Sequence, residues 1–156
     1  VDELNSYVGV LKASLKNTTL KKEPEFTKTL LPFLSAIQNH LFDLGAELAT
    51  GSDKFREKLS RRINEEDIIF LEKSIDTMQE KLPQIKHFIL PDGTFPATYA
   101  HICRTVARRA ERAMVASEST PLILIAYINR LSDYFFVLSR YLNFLEDVHE
   151  TLWQSS

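Results

Sequence analysis

Apolar residues recur along this chain at steps of three and four, the signature of helices that bury one face. Leu4, Val8, Leu11 and Leu15 form the first stripe, which gives way to a polar run from Lys16 to Glu23. Leu30, Leu34, Ile37, Leu41, Leu44 and Leu48 form the second, with Pro32 either starting or kinking it and Gly51 placed to end it. The charged stretch from Ser52 to Arg62 reads as a mobile loop. Asn64 with Asp67 three residues later is a cap signal for a third helix carrying Ile68, Leu71, Ile75, Met78 and Leu82, and Pro83 stops it. Thr94 and Pro96 open a fourth helix. A fifth starts after Pro121, its apolar pattern extending from about Leu122 to Trp153. The pattern predicts one all-α domain over residues 1–156, a five-helix up-down bundle with short connections.

Composition narrows the functions available to such a bundle. Four glycines occur, at no spacing that makes a Walker A loop or a dinucleotide fingerprint. The net charge of −2 offers no general attraction to nucleic acid or an anionic membrane. The longest purely apolar run, Leu122 to Ile128, falls short of the ~20 residues of a membrane span. A lone Cys103 cannot form an internal disulfide, which fits the cytoplasm, or the mitochondrial matrix in a eukaryote.

Two features remain unexplained by core formation. The connection PQIKHFILPDGTFP, from Pro83 to Pro96, holds an apolar Phe88-Ile89-Leu90 followed by a turn at Pro91-Asp92-Gly93. In a helical protein such a loop is either buried against the bundle or lines a site. The fourth helix then places Arg104, Arg108 and Arg112 four residues apart on one face with Glu111 beside them, while Arg109 points elsewhere. Guanidiniums so arranged repel one another. They form either a solvated face partnered by Glu111 or a polyphosphate site, for which forked donors are suited. On the fifth helix Arg130 and Asp133 are placed to pair, Asp133 and Arg140 share a face, and Asn129 is either a structural partner or a reader of base or sugar.

Hydrolytic and metal chemistry find little support. Glu146 and His149 make one Glu-x-x-His, where a di-iron carboxylate bundle needs two copies and two further glutamates. His40, His87 and His101 are scattered, and Ser132 and Cys103 lack any motif around them.

Five segments in fixed order, VDELNS, IQNHLFDLGAELA, FILPDGT, RTVARRAER and NRLSDYFFVLSRYLN, resemble the PduO-type ATP:cob(I)alamin adenosyltransferases from Val1 to about Asn143. The resemblance implies a homotrimer with the active site between adjacent subunits. It implies transfer of the 5′-deoxyadenosyl group of ATP to the cobalt of cob(I)alamin, with ATP carrying magnesium and releasing triphosphate. By the same resemblance Arg108, Arg109, Glu111, Arg112 and Asn129 bind ATP, and no metal is held by the protein alone. Arg104 pairs across the subunit boundary with Asp2, and Phe88 approaches the lower face of the corrin, where it keeps the cobalt four-coordinate. Partners would be further copies of the chain and a reductase or an adenosylcobalamin-dependent enzyme. The alternative is a non-catalytic interaction or ligand-binding bundle on the same scaffold.

Two departures stand out. Asp92 occupies a position where the family has glycine, and is expected to alter the turn or repel phosphate. The family's phosphate-gripping segment, of the type T-G-D-K-G-x-T, is expected upstream of Val1.

Overall fold

The computed structural model describes residues 1–50, 56–117 and 119–154. It contains α1 (Asp2–Lys16), α2 (Phe26–Ala49), α3 (Glu65–Gln79), α4 (Phe95–Val115) and α5 (Leu122–Leu145). Each apolar stripe read from spacing becomes one of these helices. Leu4, Val8 and Leu11 of α1 and Leu34, Ile37 and Leu44 of α2 are fully buried, as steps of three and four require.

The long α5 is the axis of the bundle, with α4 and α3 packed on it and α1 between α4 and α2. Tyr127, Leu131, Tyr134, Phe135, Leu138 and Leu142 are buried all round it, forming the densest part of the core. By length and composition α5 could cross a bilayer, although its longest purely apolar run is short. Its surroundings are protein instead, and Arg130, Asp133 and Arg140 along it all find partners there. Those partners differ in part from the spacing argument. Arg130 donates to Asp133 at 2.9 Å as expected, but Arg140 is held by Glu150 and the Pro83 carbonyl rather than by Asp133.

The caps explain where helices start. The Asn64 side chain accepts from the Glu66 and Asp67 amides at 2.9 and 3.3 Å, and Asp67 accepts from the Asn64 amide at 3.1 Å. Three amides at the helix start are thereby satisfied, those of Asn64 and Asp67 reciprocally as a capping box. Thr94 caps α4 by accepting from the Ala97 amide, with Pro96 in the first turn.

Helix ends are less regular than expected. Pro32 lies inside α2 rather than at its start, on the exposed side. α3 stops at Gln79, short of Leu82 and Pro83. α5 stops at Leu145 rather than Trp153, and Asp147 takes a left-handed conformation (φ 59°) that turns the tail back. The connections 17–25 and 80–94 are consequently longer than an up-down bundle with short connections would have.

Gly51 and residues 52–55 lie outside the described residues. The remainder of the charged stretch is tied down. Arg61 donates to Asp43 and Asp67, each at 2.6 Å, and approaches His40, whose ring bonds the Tyr127 hydroxyl at 3.0 Å. Burial holds His40 below its usual range.

Candidate active site

α4 and α5 run antiparallel, so each end of α4 meets the opposite end of α5. At the C-terminal end of α4, Asn129 of α5 donates to Glu111 at 2.7 Å. This fixes one carboxylate oxygen of Glu111 and leaves the Asn129 carbonyl oxygen unused by that bond. Arg109 points off the stripe and pairs with Glu3 of α1, a partner that no spacing rule connects to it.

Arg104, Arg108 and Arg112 have no ion-pair partner among the described residues. Arg108 and Arg112 are exposed, whereas Arg104 is half-buried and its Nε is buried without a hydrogen-bond acceptor. Burial, and then the neighbouring Arg108, depress the Arg104 guanidinium below its ordinary range. A desolvated cation next to like charge is costly unless an anion meets it. Glu111, the partner offered by the solvated-face alternative, bonds Asn129 and makes no ion pair with the stripe among the described residues.

Asp2 lies in the first turn of α1 and is exposed, and within one chain it makes no ion pair with Arg104.

The other end of α4 carries the loop. Phe88 is 79% exposed, an unusual position for a phenylalanine in a bundle with a well-formed core. It lines a cavity of about 490 Å³ with Ile85, Lys86, His87 and Trp153. Trp153 meets it edge to face, with ring centroids 6.1 Å apart at 83°. The apolar loop is therefore not part of the core, and Phe88 faces this cavity. Gly93 is the residue that shapes the turn: its φ of 120° disfavours other residues, and a Cβ there would collide with the Asn143 amide. Asn143 in turn accepts from the Thr94 amide at 2.9 Å and donates to the Asp92 carbonyl at 3.0 Å, tying α5 to the loop.

In the sequence Asn143 is only the last residue of the motif NRLSDYFFVLSRYLN, and Trp153 near the C-terminus is open between covering a corrin and packing. Nothing in their spacing points at the loop.

Other candidate groups stay outside this geometry. Cys103 is buried and its thiol is pushed up to about 12, which makes it a poor nucleophile. Glu146 and His149 fall beyond the end of α5 rather than on one helical face.

The sequence profile of the family described as "Cobalamin adenosyltransferase" matches residues 1–142. The chain is 39% identical to a corrinoid adenosyltransferase of Bacillus subtilis (strain 168), over 100% of this chain and 77% of that protein. It is 41% identical to a corrinoid adenosyltransferase of Mycobacterium leprae (strain TN), over 98% of this chain and 78% of that one. The fold superposes with a TM-score of 0.82 and 36% identity on a variant PduO-type ATP:corrinoid adenosyltransferase from Lactobacillus reuteri complexed with cobalamin and ATP, covering 99% of this chain and 82% of the other. An arginine stripe without internal counterions and an exposed phenylalanine over a cavity thus occur in a chain that belongs to the cobalamin adenosyltransferase family.

Proposed function

We infer that this protein transfers the 5′-deoxyadenosyl group of ATP to the cobalt of cob(I)alamin, forming adenosylcobalamin and releasing triphosphate. The observation that carries the site assignment is the run of unpaired guanidiniums on α4, which is what a triphosphate would neutralise. Arg108 and Arg112 would grip phosphate oxygens, with Arg109 braced by Glu3. Asn129 and Glu111, already bonded to each other, would orient the nucleotide. Magnesium would enter on the triphosphate, and Glu111 is the carboxylate this cluster offers it.

The attacking group is the reduced cobalt of the substrate, so the chain supplies no nucleophile or general base. Its contribution is orientation, charge stabilisation and an apolar lower face. Phe88 suits that face because its ring offers cobalt no lone pair.

Geometry also supports a site shared between copies. Thirteen residues from Phe95 to Arg108 at about 1.5 Å each put ~20 Å of helix between the loop end and the arginines. A single ATP whose ribose meets cobalt near Phe88 would span poorly to the same chain's stripe. A homotrimer, with Asp2 of one copy meeting the half-buried Arg104 of the next, satisfies both.

The test is anaerobic incubation of the full protein with cob(I)alamin and ATP, following the spectrum of adenosylcobalamin and the release of triphosphate. Formation of both in equal amounts is expected. Binding of either substrate without turnover would instead favour a non-catalytic ligand-binding bundle, and binding of neither would overturn the reading altogether.

A further inference from the structure

Asp92 stands at the turn that joins the two halves of the Phe88 wall, and its carboxylate is already occupied. Oδ1 accepts from the Gly93 amide at 2.6 Å, and Oδ2 accepts from the Thr151 hydroxyl at 2.9 Å. Both oxygens are thus held by neutral donors, which fix the side chain in the turn while its negative charge remains.

The bond to Thr151 spans 59 residues and joins the loop to the tail that follows α5. Main-chain bonds flank it. The Leu90 amide donates to the Thr151 carbonyl at 2.8 Å, and the Trp153 amide donates to the Phe88 carbonyl at 2.8 Å. Ile89 and Leu152 form an antiparallel bridge between them. Because side chains alternate along such a pairing, the register decides which tail residue faces Phe88. A two-stranded contact this short is weakly specified by its backbone bonds alone. A side-chain bond to a carboxylate adds both strength and registration.

We propose that Asp92 is a positioning residue that, by anchoring Thr151, sets the tail register that holds Trp153 edge-on to Phe88 as the second aromatic wall of the corrinoid cavity. The proposal rests on the assignment of Phe88 to the corrin. The hydrogen bond from Thr151, and after it that from the Gly93 amide, hold the Asp92 carboxyl below its usual range, so the latch is engaged at neutral pH. On the other side of the turn, Asn143 fixes the Asp92 carbonyl. The anchor is thus itself anchored to α5, and the tail is held to the bundle rather than to a loose loop.

Trp153 is the chain's single tryptophan, so its fluorescence reports the latch directly. Thr151→Val removes the hydroxyl while keeping the shape. The expected result is a red-shifted emission, easier quenching by acrylamide, and a KM for the corrinoid raised about tenfold with KM for ATP unchanged. Asp92→Gly, which keeps the turn, should reproduce this, and Thr151→Ser should restore both readouts. Unchanged fluorescence and corrinoid KM in Thr151→Val would overturn the proposal, as would parallel losses for both substrates. If Phe88→Ala impairs corrinoid turnover while Thr151→Val is silent, the latch fails and the site assignment stands. If Thr151→Val frees Trp153 while Phe88→Ala leaves corrinoid turnover intact, the site assignment is what fails.

Discussion

His101 lies one turn before Arg104 on α4, buried, with its ring 3.4 Å from the Ser139 hydroxyl of α5. Burial, and then the positive Arg104, push it from 6.5 down to about 4, against a smaller opposing pull from Asp92. The folded chain therefore refuses a proton that the unfolded chain accepts. Stability should be full above pH 6.5 and fall as the pH drops towards 4, by up to about 3 kcal/mol. Chemical denaturation at several pH values checks this, and His101→Gln should flatten the slope in that window. A slope that persists in the variant would assign it to other groups. At this scale the sequence displayed the right residue types but not their surroundings. Arg104 is half-buried beside Arg108 through the way α4 packs, and the exposure of Phe88 depends on where the loop lies. Neither is encoded in local spacing.

Among the elements, the helix starts were the most legible because capping is a local contract between neighbours in sequence. The Asn64–Asp67 box of α3 is the clearest instance, and Asn64→Ala should cost about 1 kcal/mol of stability, read from the midpoint of urea unfolding. No change would mean that tertiary packing alone holds that end. Helix stops were read less well. The apolar residues Leu152 and Trp153 prolong the α5 pattern, but the backbone of Thr151 to Trp153 is taken up by pairing with Phe88, Ile89 and Leu90 instead. Sequence periodicity has no means of weighing that distant competitor, which sits some 60 residues away. The same long-range contact explains why Asp92 looked like a defect in isolation and has two partners in the folded chain.

For the whole molecule, the apolar stripes and the cap signals are enough to give the class and number of helices, since a bundle is little more than amphipathic faces closed on one another. They could not give the assembly. The proposed trimer predicts that Asp2→Ala and Arg104→Ala each shift sedimentation towards smaller species, and that the double variant is no worse than either single one. Additive effects would dissolve the pairing between them. The central claim is the division of labour between the loop and α4, with Phe88 serving the corrin and Arg108 the triphosphate. Its most direct test is a paired measurement of ATP affinity by calorimetry and of turnover starting from cob(II)alamin with an added one-electron reductant in Phe88→Ala and Arg108→Ala. The account predicts that Arg108→Ala weakens ATP binding at least about tenfold, the loss of one charge-assisted contact. Phe88→Ala should leave that affinity nearly unchanged and sharply lower turnover. Equal losses of affinity and turnover in Phe88→Ala, or undiminished ATP binding in Arg108→Ala, would contradict it.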